Sequence, residues 1–228
     1  MGILSAIVGM SGTGKTTSMR NMSPDDTVII RPMDKALPFR PTGWRTKKEG
    51  NKPVNLFNMQ SAQEVCALYK KLAGAPHIKN IILDDYQYYG SLELLDKIKS
   101  KGYTKFEDVG KSQADLITVA SKVLRDDQIF TVIAHDQVED SHDGNTRRKI
   151  KTQGKMVDNL LGVEGYMIAV FYSQVEREDG LNKYQFSTQT DGVTMAKTPL
   201  GMFEQPDEFL IDNDWKMISD RMREYYSL

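Results

Sequence analysis

Residues 9 to 17 read GMSGTGKTT, a glycine-rich run that ends in a lysine and two threonines. The run matches G-x-x-x-x-G-K-[ST] at Gly9, Gly14, Lys15 and Thr16. In this pattern backbone N–H groups surround phosphate oxygens, the lysine reaches the terminal phosphates, and the hydroxyl holds magnesium. The sequence therefore predicts a nucleoside triphosphate site. The residues predicted to contact the nucleotide are Gly9, Ser11, Gly12, Thr13, Gly14, Lys15, Thr16 and Thr17.

The neighbours of this run suit a phosphate-binding loop. Residues 3–8 form a short apolar run typical of a buried strand, and residues 15–22 can open a helix. Strand, loop and helix in this order are the context that the motif requires.

A second acidic motif follows an aliphatic run. Residues 81–85 read IILDD, as expected for a buried strand that ends in two carboxylates. The first, Asp84, is predicted to join the magnesium shell, and the second, Asp85, to orient or deprotonate an attacking water.

Polar residues also end the next predicted strand. His135, Asp136 and Gln137 lie at the end of the predicted strand over residues 128–135, and a side chain there would meet the terminal phosphate at the carboxyl edge of a parallel sheet. The spacing of the three histidines and the single cysteine does not favour a zinc site.

Two cationic segments suggest contact with a nucleic acid. Cationic loops neutralise phosphates, and an interleaved aromatic ring can stack on a base without reading its identity. Both segments are expected to project from the carboxyl edge of the sheet. The residues predicted to contact single-stranded DNA are Arg147, Arg148, Lys149, Lys151 and Lys155 in one segment and Lys99, Lys101, Tyr103 and Lys105 in the other.

Apolar runs alternate with helical patterns along most of the chain, which predicts an α/β fold with a mostly parallel central sheet flanked by helices. Two runs beyond residue 160 suggest an antiparallel C-terminal extension. We expect one domain over residues 1–228, with a core at about 3–205 and a closing helical segment at about 206–228. The predicted strands cover residues 3–8, 27–31, 54–57, 80–85, 128–135, 166–175 and 184–188, and the predicted helices residues 62–72, 114–124 and 214–226.

Length and charge agree with one such domain. The chain has 228 residues and a formal net charge of −1, so any contact with nucleic acid must come from local patches. Cys66 is the only cysteine, which fits a reducing compartment. No basic leader or long apolar segment is evident, and we expect a cytoplasmic protein without membrane contact.

The order of these motifs resembles the RecA recombinase core among the P-loop NTPases. More specific segments make the chain similar to phage-encoded, RecA-like ATP-binding proteins of the single-strand annealing family. The resemblance spans roughly residues 3 to 205. The segments on which it depends are DKALPF, DDYQYY, YTKFEDVGK, KTQGK and TQTDGVTMAKTPLGMF.

The resemblance implies ATP and Mg²⁺ as cofactors and roles for three further residues. Asp34 would match the water-activating acid, Gln137 the residue that reports nucleotide state to a DNA-binding loop, and Lys197 a lysine that reaches a neighbouring subunit's γ-phosphate. It also implies single-stranded DNA as partner, a homo-oligomer with ATP at the subunit interface, a single-strand binding protein among the partners, and work in the cytoplasm of a phage-infected host.

The residues leave several alternatives open. A nucleotide or small-molecule kinase also uses this loop, with Arg147 and Arg148 as lid arginines. An ATP-gated loader or adaptor in phage DNA replication would bind a protein rather than DNA. Either Asp34 or Asp85 can be the residue that activates water.

Overall fold

The structure is a computed structural model that describes residues 2–99, 104–140, 146–153 and 162–228. The described strands are β1 (Ile3–Val8), β2 (Thr27–Arg31), β3 (Leu56–Asn58), β4 (Asn80–Leu83), β5 (Ile129–Ala134), β6 (Asp136–Asp140), β7 (Thr146–Ile150), β8 (Ala169–Glu178), β9 (Leu181–Ser187) and β10 (Leu210–Asp212). The described helices are α1 (Ala62–Ala73), α2 (Tyr86–Asp96), α3 (Thr104–Val123), α4 (Val163–Tyr166) and α5 (Trp215–Tyr226), with 3-10 helices at Thr16–Asn21 and Pro206–Glu208.

Eight of the described strands form one sheet in the order β3-β2-β4-β5-β1-β8-β9-β10. The first six in this order run parallel, whereas β9 and β10 are antiparallel to their neighbours. Strands β6 and β7 form a separate antiparallel hairpin. This topology confirms the predicted α/β fold with a mostly parallel sheet, flanking helices and an antiparallel C-terminal extension.

Strand β1 lies between β5 and β8, so both of its edges are paired and all six of its residues are buried. Its side chains alternate between two apolar layers. Leu4 and Val8 belong to the layer that includes α1 and α3, and Ile7 belongs to the layer that includes the first 3-10 helix and α5. A strand covered on both faces reads as a continuous apolar run, which is why β1 was evident in the sequence.

Several elements differ from those expected. The helix after the glycine-rich loop is a short 3-10 helix over Thr16–Asn21 rather than a helix reaching residue 22, and α3 begins at Thr104 rather than at residue 114. Helix α2 and the hairpin of β6 and β7 were not predicted, because neither has an apolar stripe of clear period.

The C-terminal part adds an edge to the sheet before it ends in a helix. Strand β10 pairs with β9, and α5 follows with the Asp214 carboxylate accepting the N–H of Lys216 at 3.0 Å. The apolar side chains Trp215, Ile218 and Met222 are buried against the sheet, as a helical period of three to four residues requires. Among the residues that the structure describes, none of the helices combines the length and apolar character needed to cross a bilayer.

Candidate nucleotide site

The glycine-rich loop leaves the carboxyl end of β1 and makes close contacts that exclude side chains. Gly14 has φ +85°, and a Cβ there would lie 3.0 Å from the Tyr184 ring and 3.3 Å from the Asn213 amide. At Gly9 a Cβ would lie 2.8 Å from the carbonyl oxygen of Ser173 and closer still to its hydroxyl. Glycine is needed at both positions because β8 and the residues before α5 approach the loop.

Lys15 lies across the inside of this loop. Its ammonium donates to the carbonyl oxygens of Gly9 at 2.8 Å and Met10 at 2.7 Å, and only 7% of the residue is exposed. Burial lowers its pKa to about 8, against the opposing attraction of Asp84 and Asp85. The ammonium thus has backbone partners that phosphate oxygens can replace.

The loop and the acidic motif meet directly. The Thr16 hydroxyl donates to both carboxylate oxygens of Asp84, at 3.1 and 3.0 Å, although β5 lies between the strands that present them. Asp84 is fully buried and also accepts the N–H of Asp85 at 2.9 Å. Burial first, and then the charge of Asp85, raises the pKa of Asp84 to about 6.

The oxygen atoms at this contact are suitable ligands for the predicted magnesium ion. Thr16 and Asp84 supply a hydroxyl and a buried carboxylate, the oxygen ligands that Mg²⁺ prefers. Within the described ranges no group of three or more His, Cys, Asp or Glu residues could form an all-protein metal cage. A magnesium ion that keeps waters and binds substrate phosphates does not need one. When bound, it would neutralise phosphate charge at this place.

Asp85 lines the site in an unusual backbone conformation. It has φ +58°, in the left-handed region, and immediately precedes α2. Its carboxylate is 7% exposed and forms an ion pair with the ammonium of Lys35. Aspartate adopts this region more readily than most residues. The second acid of the motif is therefore held at the edge of the loop by its backbone and by a lysine.

The segment that supplies Lys35 also contains Asp34, which points elsewhere. The Asp34 side chain is 82% exposed, and its nearest ion-pair partner is the Arg31 guanidinium at 3.6 Å. Asp34 is not among the residues that line the pocket, whereas Lys35 and Asp85 are. Sequence reasoning did not find Lys35, because a single lysine in a proline-flanked segment gives no signal of its own.

His135, rather than Gln137, lies at the pocket. The His135 N–H donates to the Gln87 side chain at 3.0 Å, and its carbonyl oxygen accepts the N–H of Lys151 at 2.8 Å. Burial and the nearby Lys15 ammonium lower the pKa of His135. Gln137 is the second residue of β6 and stands opposite Lys149 in the hairpin.

The pocket has a volume of about 740 Å³ and extends past the loop to the other side. There Tyr184 of β9 and Asn213 lie against Gly14, and Arg20 donates to the Asn213 carbonyl oxygen at 2.5 Å. The Asn213 amide nitrogen is buried without a hydrogen-bond partner. No motif in the sequence indicates this end of the pocket. The lining residues are Ser11, Gly12, Gly14, Lys15, Thr16, Thr17, Arg20, Lys35, Ala36, Pro38, Asp85, His135, Tyr184, Asp212, Asn213 and Asp214.

The first cationic segment is one half of the hairpin. Arg148 forms an ion pair with the buried carboxylate of Asp136 at 2.6 Å, and Lys149 pairs with Glu139 at 2.7 Å. The guanidinium of Arg148 also lies over the Tyr172 ring, 5.8 Å from its centroid. Arg147 and Lys151 are exposed, and Lys155 lies outside the described residues. The sequence analysis treated Arg148 and Lys149 as available for DNA, because the acids that pair with them belong to the preceding strand.

The second cationic segment follows α2 rather than β4. Lys99 is exposed, and Lys105 belongs to the first turn of α3 with its ammonium 5.3 Å from the centroid of the Phe106 ring. Lys101 and Tyr103 lie outside the described residues. Helix α2 therefore lies in the chain between β4 and the described lysines of this segment.

Two backbone hydrogen bonds join Lys197 to strand β8. Its N–H donates to the carbonyl oxygen of Val170 at 3.0 Å, and its carbonyl oxygen accepts the N–H of Val170 at 2.8 Å. It does not line the pocket of its own chain.

Neither a protein-family model nor a curated protein sequence matches this chain. Among solved structures it is similar to a KaiC-like protein from the hyperthermophilic archaeon Pyrococcus horikoshii OT3, with a TM-score of 0.45 and 8% identity. That match covers 86% of this chain and 83% of the archaeal one. We therefore infer the function of the chain from the chemistry of its own site.

Proposed function

We propose that this chain is a magnesium-dependent, RecA-like P-loop ATPase that binds single-stranded DNA and promotes annealing or recombination, as a phage-encoded protein of the host cytoplasm. The contact between Thr16 and Asp84 is the main support. A glycine-rich loop that holds a buried lysine, beside a hydroxyl already bonded to a buried carboxylate, is what a magnesium triphosphate needs.

Hydrolysis requires a group that accepts the proton of water. Asp85 is the favoured acceptor, because it lines the pocket while Asp34 is exposed and lies beside Arg31. The water oxygen bonds to the γ-phosphorus, the bond from that phosphorus to the bridging oxygen breaks, and the proton passes to Asp85. The products are ADP and phosphate.

In this proposal the hairpin of β6 and β7 connects the nucleotide site to DNA. His135 lines the pocket, and its carbonyl oxygen accepts the N–H of Lys151 directly after β7. A shift of His135 on triphosphate binding would therefore move the strand that contains Arg147. In this proposal Gln137, next to this junction, helps transmit the change, and the exposed Lys99 adds a further contact for DNA phosphates.

Assembly belongs to the same proposal. Lys197 is fixed to β8 and stays out of its own pocket, as expected of a lysine that serves a neighbouring subunit. The active species would be a homo-oligomer with ATP between subunits, and a single-strand binding protein would share its DNA.

Single-stranded DNA should stimulate ATP hydrolysis, and the test is the rate with and without an oligonucleotide. Lys15→Ala should abolish both the basal and the stimulated rate, whereas Lys48→Ala, at an exposed lysine outside the pocket, should leave both intact. A rate that ignores DNA at every protein concentration contradicts the DNA-dependent mechanism. A wild-type rate equal to that of Lys15→Ala contradicts the ATPase itself.

One observation favours a second candidate, an ATP-gated adaptor that binds another protein. Arg148 and Lys149 are paired with acids of their own hairpin, which reduces the charge left for DNA phosphates. An adaptor would hydrolyse ATP, bind no oligonucleotide at low salt, and have its rate stimulated by a protein partner.

A further inference from the structure

Lys35 occupies a place in the pocket that neither motif explains. Its ammonium contacts the Asp85 carboxylate, and it lines the same pocket as Lys15. The Lys35 side chain is 42% exposed, so it remains accessible to a ligand that enters from solvent. Two lysines therefore face the end of the pocket at which the acidic motif lies.

The chain on both sides of Lys35 holds it there. Leu37 and Phe39 pack against the apolar layer beneath the first 3-10 helix and α5, and the Phe39 ring meets Trp44 edge-on at 6.4 Å. On the other side Arg31 ends β2 and donates to the Asn58 side chain at 2.8 Å. The chain is thus anchored within four residues of Lys35 on each side.

The two lysines have different partners. Lys15 donates to backbone carbonyl oxygens, whereas Lys35 neutralises Asp85, the carboxylate best placed to face a water. A terminal phosphate brings more negative charge than one carboxylate, so at comparable separation it attracts the ammonium more strongly. A diphosphate does not bring that terminal group.

We propose that Lys35 is a second lysine for the terminal phosphate, and that it leaves Asp85 for the γ-phosphate when a triphosphate binds. Asp85 is then free to accept a hydrogen bond from the attacking water only while a γ-phosphate is present. The exchange gives the site a means to distinguish ATP from ADP. This inference rests on the proposed function, because it requires a nucleotide in this pocket.

The test compares a nonhydrolysable ATP analogue with ADP by titration calorimetry in the presence of Mg²⁺. Lys35→Ala should lower the affinity for the analogue at least tenfold and leave the affinity for ADP within twofold, since only the triphosphate contacts Lys35. Lys35→Arg, which keeps the charge, should restore part of the loss. Lys48→Ala, in the same loop but outside the pocket, should change neither affinity.

Turnover gives a second readout. Lys35→Ala should reduce kcat at least tenfold at saturating ATP, because a cation that faces the transferring phosphoryl group is lost. Thermal unfolding of each variant would show that the fold is retained.

Several results would overturn the inference. Equal losses for ADP and the analogue, or no loss for either, would show that Lys35 does not contact the γ-phosphate. Nucleotide binding that depends on Lys15 but not on Lys35 would overturn this inference alone. Absence of any nucleotide binding by the wild type would overturn the proposed function as well.

Discussion

The Thr16 hydroxyl donates to both oxygens of the Asp84 carboxylate, at 3.1 and 3.0 Å, across the width of one intervening strand. Sixty-eight positions separate the two residues in the sequence. Their contact joins the glycine-rich loop to the acidic motif. The two side chains predicted to hold magnesium therefore lie within 3.1 Å of each other.

Asp84→Asn tests the role of this carboxylate. We expect kcat for ATP hydrolysis to fall about a hundredfold or more, because the site loses the negative charge that favours the metal. The variant should also require more Mg²⁺ for half-maximal ATP binding. The measurement is a magnesium titration of both rate and affinity.

The stability of Asp84→Asn supplies its control. Burial raises the pKa of Asp84 to about 6 from 3.8, so its contribution to stability is present below pH 3.8 and is lost as the pH rises through 6. In EDTA, the free energy of unfolding of the wild type should be compared with that of the variant at each pH. As the pH is lowered from 6 to 4, the difference in favour of the wild type should increase by up to about 1.4 kcal/mol per pH unit. A flat difference over this window would contradict the buried carboxylate.

Lys15 should make nucleotide affinity depend on pH. Its pKa is lowered to about 8 by burial, and phosphates bind only the protonated form. Affinity should therefore be constant more than about one pH unit below 8, begin to fall as the pH approaches 8, and fall about tenfold per pH unit well above it, as binding takes up a proton. Lys15→Arg should bind more weakly but without this slope. Fluorescent-nucleotide titrations from pH 7 to 10 would measure both.

The parallel sheet and both chemical motifs were predictable because each depends on a local pattern. A strand buried on both faces, such as β1, reads as a continuous apolar run, and Asp84 follows such a run directly. The part of the site formed by Lys35, Tyr184 and Asn213 was not predictable. Those residues come from a long loop and from the C-terminal extension, and only tertiary packing brings them to Gly14 and Asp85.

Substitution by alanine should cost different amounts of stability at two glycines of the loop. Gly9→Ala should destabilise the fold by at least about 2 kcal/mol, because the new Cβ would lie 2.8 Å from the Ser173 carbonyl oxygen. Gly12→Ala should cost about 1 kcal/mol, since φ is +82° but no atom lies within 4 Å of the added Cβ. Urea unfolding would rank them, and equal costs would contradict the close approach of β8.

Two cations of the hairpin should have different roles, with Arg148 stabilising the fold and Lys151 binding DNA. Arg148→Ala leaves the Asp136 carboxylate, which is 4% exposed, without its partner, and should lower stability by about 1–2 kcal/mol. Lys151→Ala should leave stability within about 0.5 kcal/mol, because its side chain is exposed. The same change should reduce the salt dependence of oligonucleotide binding by about 0.7 in the log–log slope.

This division of the hairpin would be contradicted if Lys151→Ala destabilised the fold and Arg148→Ala changed only the salt dependence of oligonucleotide binding. The sequence alone could not make the distinction. Arg148 and Lys149 read as part of a free basic run until β6 brings Asp136 and Glu139 opposite them.

Direct binding of a nonhydrolysable ATP analogue, measured by calorimetry with the wild type and Lys15→Ala, tests the central claim that this pocket holds a magnesium triphosphate. The wild type should bind one analogue per chain, and removal of Mg²⁺ should weaken that binding. Lys15→Ala should bind at least a hundredfold more weakly while unfolding at a temperature close to that of the wild type. Equal binding by the two proteins, or no binding by either, would contradict the claim.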